Sequence, residues 1–126
     1  MLTLYSKPGA CSLADHVVLH WVGAPFEVRI VDATMMKAPD FLALNPSGAV
    51  PVLTDGDWVL TQNAAILNYL ADRCPEAGLG GDGSPEGRAE VNRWLSFLNA
   101  DLHPQYLPMF GATAYLEDAA VIARTQ

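Results

Sequence analysis

Within the first 31 residues a strand pattern, a helical stripe and a second strand pattern follow one another, and that order leaves few folds open. Leu2-Thr3-Leu4-Tyr5 alternates apolar and polar residues, and Lys7-Pro8-Gly9 is turn chemistry. From there the spacing of Leu13, Val17, Val18 and Trp21 predicts a helix that buries this face. Gly23-Ala24-Pro25 ends it, with glycine as the cap and proline beyond. Phe26-Glu27-Val28-Arg29-Ile30-Val31 alternates as the next strand. Strand, helix and strand joined by short loops make a βαβ unit, so the two strands are expected parallel with a right-handed crossover.

Farther along, Pro39-Asp40-Phe41-Leu42-Ala43-Leu44 reads as a short helix that stops at Asn45-Pro46-Ser47-Gly48. Pro51–Thr54 and Trp58–Leu60 flank Asp55-Gly56-Asp57, a strong signal for an antiparallel hairpin. Thr61 then reads as an N-cap for a helix with Ile66, Tyr69, Leu70 and Arg73 on one face. A βαβ unit followed by ββα predicts an α/β, thioredoxin-like domain with a four-stranded mixed sheet. The Gly-rich break at residues 75–83 divides the chain: a first domain at 1–76, a linker at 77–83 and a helical domain at 84–126. Ser84-Pro85-Glu86 carries the marks of a helix start. In the helix that follows, Val91, Trp94, Leu95, Leu98 and Leu102 form one stripe, and Pro104 and Pro108 end or kink it. Residues 117–124 are expected to begin another helix.

Composition narrows the function classes. With 51% hydrophobic and 17% charged residues the chain is a folding globular protein. A formal charge of −7 with only seven Lys and Arg argues against nucleic acid, which is held by clustered basic side chains. No apolar run approaches a membrane span. Cys11 and Cys74 make neither a CxxC pair nor a zinc spacing, and His16, His20 and His103 are too scattered for a metal site. No metal is expected, and the expected setting is reduced and cytoplasmic.

Several positions carry possible chemistry. Cys11 falls at a helix N-terminus, where unpaired N–H groups and the dipole favour a thiolate; the bland alternative is a small buried hydrophobe. Val50-Pro51 opens a strand, and a cis bond there would present the Val50 backbone to a peptide-like ligand; an ordinary trans proline is the alternative. Gln62 and Asn63 begin a helix, as a carboxylate dock or as plain caps. His103 is either a helix C-terminal cap or a proton-handling group facing the first domain. Tyr106, Leu107, Met109, Phe110 and Tyr115 line either an apolar pocket or a core.

In their order along the chain these segments resemble the glutathione transferases, and among them the bacterial beta class. The resemblance runs through Leu4-Tyr5-Ser6-Lys7-Pro8-Gly9-Ala10-Cys11-Ser12-Leu13, Asn45-Pro46-Ser47-Gly48-Ala49-Val50-Pro51, Gln62-Asn63-Ala64-Ala65-Ile66 and Arg93-Trp94-Leu95 through Leu102-His103. It implies a glutathione-binding domain followed by an all-helical one. It further implies that Cys11 and Ser12 contact the glutathione sulfur, and that Val50, before a cis Pro51, pairs with the cysteinyl backbone. Gln62 and Asn63 would hold the γ-glutamyl end, and Lys37 would reach the glycyl carboxylate. His103 would approach the sulfur, and Tyr106 and Phe110 would line the acceptor pocket. Asp101 would serve a neighbouring subunit's site, since these proteins are usually homodimers.

Two departures stand out. Asn63 occupies a position that is commonly serine in the family, and the helical domain is expected to be incomplete, ending at Gln126 where family members add further helices. The implied chemistry is conjugation of the glutathione thiolate to small apolar electrophiles, a detoxification reaction. Thiol–disulfide exchange through Cys11 is an alternative, as is a non-catalytic module that binds glutathione or a protein.

Overall fold

The computed structural model describes residues 1–110 and 119–125. Strand β1 (Leu2–Ser6) leads into helix α1 (Ser12–Val22), and β2 (Phe26–Ile30) returns beside β1. A 3-10 turn at Met35–Lys37 precedes α2 (Pro39–Leu44). The hairpin of β3 (Val52–Asp55) and β4 (Trp58–Thr61) is followed by α3 (Asn63–Arg73). The sheet order is β2-β1-β3-β4; β1 and β2 are parallel, and the β1–β3 and β3–β4 pairs are antiparallel. This is the expected thioredoxin-like arrangement.

The period of the strands divides the core in two. On one face Leu2 and Leu4 of β1 and Leu53 of β3 are buried with Leu19 of α1 and Ile66 and Leu70 of α3. On the other, Val52 packs with Val31 and Phe41, and Tyr5 leans on the same cluster. The hairpin turns through Gly56 and Asp57, where Gly56 takes φ 61°, so Asp55 faces Trp58.

Helix α1 corrects the expected face. Leu13 (61% exposed), Val17 and Trp21 (67%) point outward and only Val18 of that face packs, half-buried, against the core, whereas Ser12, Asp15 and Leu19 are buried. The sheet contact sets the phase of this helix: the Ser12 and Ser6 hydroxyls meet at 2.9 Å, which turns the Ser12–Asp15–Leu19 stripe to β1. Nor is Thr61 the cap of α3; it ends β4, and Gln62 takes the capping position.

Past a 3-10 turn at Pro75–Ala77, α4 spans Pro85–Ser96. Ser84 caps it as expected, its hydroxyl accepting from the Gly87 N–H at 2.9 Å. Ser84→Ala is therefore expected to cost about 1 kcal/mol, read as a lower denaturant midpoint at unchanged slope. Arg88 ties α4 to α3, donating to the Asn68 side chain at 2.7 Å and pairing with Asp72. A π-helical stretch at Phe97–Leu102 and a 3-10 stretch at His103–Phe110 follow, where the prolines were expected to bend the chain. The expected stripe is not a buried one: Trp94, Leu98 and Leu102 are exposed, while Val91 and Leu95 are half-buried. Helix α5 covers Ala119–Thr125, within the helix expected over 117–124 and one residue beyond it.

Candidate functional site

A cleft of about 640 Å³ opens between the β1–α1 loop and the 3-10 stretch after α4. One wall is Lys7 to Cys11; the floor is Met36 with Gly48, Ala49 and Val50; the far wall is His103, Tyr106, Leu107 and Phe110. Cys11, Val50, His103, Tyr106 and Phe110 were all expected from sequence, and the fold brings these five to one cavity. Tyr115 lies outside the described residues.

The floor has a local cause. Asn45 is buried and organises the loop, donating to the Ala49 carbonyl at 2.7 Å and accepting from the Ser47 hydroxyl at 2.8 Å. Gly48 sits at φ 62°, and a Cβ added there would stand only 3.1 Å from the Met36 carbonyl oxygen. The Val50–Pro51 bond is cis, and Pro51 itself is buried below the cleft.

Cys11 lies across from that loop, with Sγ 3.9 Å from the Val50 carbonyl and placed to donate to it. Its ionisation runs against the expectation of a favoured thiolate. Burial pushes the Cys11 thiol up, and the charge of Asp15 adds to this; the backbone N–H groups of Cys11 and Ser12 pull it down without cancelling the rise. Ser12 also departs from its expected place. It is fully buried, bonded to the Ser6 hydroxyl and accepting the Lys7 N–H at 3.3 Å, so it does not reach the cleft.

At the start of α3, Gln62 is exposed and holds φ 75°, the one non-glycine residue at positive φ among those described. Such backbone costs roughly 1–3 kcal/mol and clusters at ligand sites. Asn63 was expected either to dock a carboxylate or to cap the helix. With its amide oriented to satisfy its neighbours, its nitrogen instead donates to Asp15 Oδ1 at 3.1 Å and Oδ2 at 3.2 Å. Burial pushes the Asp15 carboxyl up to about 8, with its own backbone N–H opposing the rise. The first-turn N–H groups of α3 remain available to an anion. Lys37 and Asp101 are exposed and do not line the cleft.

Sequence reasoning offered Leu107 as pocket or core, and it lines the cleft; it missed Met36 and the Lys7–Ala10 and Gly48–Ala49 segments, which contribute shape more than side-chain chemistry. Asp15 had no signal beyond an acid at helical spacing from Ser12 and Leu19. Among the described residues no group of three or more His, Cys, Asp and Glu is placed to hold a metal, and no helix is long and apolar enough to cross a membrane.

Residues 10–73 match the glutathione S-transferase N-terminal domain. The glutathione S-transferase GST-4.5 of Xanthomonas campestris pv. campestris is 62% identical over 124 residues, which is 98% of this chain and 61% of that protein. The glutathione S-transferase of Xylella fastidiosa superposes with a TM-score of 0.96 at 60% identity, over 99% of this chain and 61% of that one. A sphingomonad glutathione S-transferase complexed with glutathione gives a TM-score of 0.79 at 41% identity, over 98% of this chain and 63% of that one. The chain thus spans about three fifths of the length of these relatives. The domain match covers half of the chain, and the sheet order agrees with it: the chain belongs to the glutathione S-transferase family.

Proposed function

We propose that the cleft binds glutathione and conjugates its sulfur to a small apolar electrophile. The observation that carries this is the meeting of Cys11 and Val50 with His103, Tyr106 and Phe110 around one cavity. The Val50 backbone, beside the cis bond, pairs with the cysteinyl unit as an added strand would. Gln62 and the first turn of α3 hold the γ-glutamyl carboxylate, and Lys37 reaches for the glycyl end. Residues 1–76 form the glutathione-binding unit and 84–126 the helical unit, joined at 77–83. Asp101 lies outside this cleft and serves a second copy in a homodimer. The setting is cytoplasmic and the role detoxification.

In the reaction the thiol proton leaves to solvent and the sulfur lone pair forms a bond to carbon. The leaving group departs with the electron pair of its own bond. Cys11, kept as a thiol by burial, serves as a hydrogen-bond donor to the glutathione sulfur. His103 meets the sulfur from the opposite wall, and Tyr106 and Phe110 offer the acceptor an apolar surface. The raised Cys11 thiol disfavours the exchange route, in which Cys11 itself must attack as thiolate.

Retention on immobilised glutathione and glutathione-dependent conjugation of an aryl halide test this reading. Cys11→Ala is expected to lower kcat/KM about 10- to 100-fold, the loss of one hydrogen bond to a charged sulfur, and to leave measurable conjugation. Complete loss of turnover in Cys11→Ala would favour the exchange route. A protein that neither binds glutathione nor turns over would end both.

A further inference from the structure

Asp15 is a buried titratable group that the proposed reaction leaves unused. It is fully buried on α1, one turn after Cys11, and both of its oxygens accept from the Asn63 amide at 3.1 and 3.2 Å. It therefore lies at the junction of the two helix starts that border the proposed glutathione site. Among the described residues its surroundings hold no compensating charge. On its own helix Cys11 is the titratable group coupled to it. Strand β1 turns Leu2, Leu4 and Ser6 to this side, and α3 brings Asn63 and Ile66. The turn at Pro75–Ala77 that touches α1 carries Glu76, which is exposed. No cationic side chain among the described residues contributes to its ionisation.

We propose that Asp15 is a positioning residue for glutathione: by clamping Asn63 it holds the first turn of α3, with Gln62, in register with the first turn of α1, with Cys11. This rests on the glutathione site proposed above. The clamp suits an anionic ligand only while the carboxyl is neutral. In that form its carbonyl oxygen still accepts from Asn63, and no fixed negative charge lies under the two helix starts. Because burial holds the carboxyl up to about 8, this is the state at neutral pH. At higher pH a carboxylate appears one turn from Cys11, where it opposes a thiolate and the γ-glutamyl carboxylate alike. Linkage makes the effect reciprocal, since a bound anion holds the Asp15 proton more firmly.

Asp15→Asn keeps the shape and a carbonyl oxygen for Asn63 but cannot ionise. Dissociation constants for glutathione and for S-methylglutathione, whose thiol is blocked, are measured by calorimetry in both proteins from about pH 6 to about pH 9.5. Ionisation of the ligands is common to both proteins, so the ratio of wild-type to variant constants isolates Asp15. That ratio is expected within about twofold of unity near pH 6.5 and about fivefold or more higher near pH 9.5. A ratio that stays flat while both proteins bind overturns this inference alone. No binding by either protein at any pH overturns the glutathione site and this inference with it. Asn63→Ala supplies a second arm should Asp15→Asn fail to fold. It releases the clamp, and is expected to weaken S-methylglutathione binding about fivefold near pH 6.5, a loss of one buried hydrogen bond. Affinity equal to wild type in Asn63→Ala overturns the positioning role.

Discussion

Stability against denaturant is expected to fall steadily as pH rises from about 4 to about 8, and Asp15→Asn is expected to abolish that fall. In the folded protein the Asp15 carboxyl is held up to about 8, whereas in the unfolded chain it titrates at the ordinary 3.8. Between those two values the native state keeps a proton that the unfolded state has lost, so every increase in pH favours unfolding. The slope is about 1.4 kcal/mol per pH unit at its steepest, and it levels off above the folded value. The contribution of this group is thus fully present below the ordinary carboxylate range and is lost on the alkaline side. An asparagine does not ionise and has no such slope. It leaves one amide N–H₂ to be satisfied in a buried place, at about 1–3 kcal/mol. The two curves should therefore cross: the wild type is the more stable near pH 4 and the variant near pH 8. Parallel curves over this range would show that Asp15 ionises freely in the folded protein.

Asp15 also marks where reading the sequence breaks down. The hairpin is legible because Asp-Gly at a two-residue loop has a local cause, and Ser84-Pro85 is legible because a capping hydroxyl and a first-turn proline act within four residues. The face of α1 is different. Leu13, Val17 and Trp21 are more apolar than Ser12 and Asp15, so hydrophobicity alone selects the wrong side. The side actually buried is chosen by a hydroxyl pair between β1 and α1, and by an acid that burial keeps neutral. The same long-range partner explains Asn63. Its position at a helix start is local and was readable, but the direction of its amide depends on a residue forty-eight positions earlier. For the cleft, residues with distinctive chemistry such as Cys11 and His103 were legible. Met36 was not, because what it supplies is surface, and any apolar side chain in its place reads alike.

Ile66→Ala is expected to destabilise the protein by about 2–5 kcal/mol, and Ile66→Val by about 0.5–1.5 kcal/mol. Ile66 has no exposed surface and sits among Leu2, Leu4, Leu19, Leu53 and Leu70, where the sheet, α1 and α3 meet. Each of those partners belongs to a rigid element, so the space left by truncation collapses poorly and the cavity cost adds to the lost transfer energy. The effect reaches the site as well. The Ile66 N–H donates to the Gln62 carbonyl at 3.0 Å, closing the first turn of α3. Gln62 keeps its unfavourable φ of 75° only because the surrounding packing holds that turn in place. Slackening the packing lets Gln62 relax toward ordinary backbone and moves its side chain off the proposed carboxylate position. Affinity for S-methylglutathione should then drop about threefold to tenfold in Ile66→Ala at a temperature where the variant is still fully folded. Ile66→Val, which keeps most of the contact, should bind within about twofold of wild type. A variant that loses stability yet binds as wild type would mean that the Gln62 turn is held by the loop from Thr61 and not by the core beneath it.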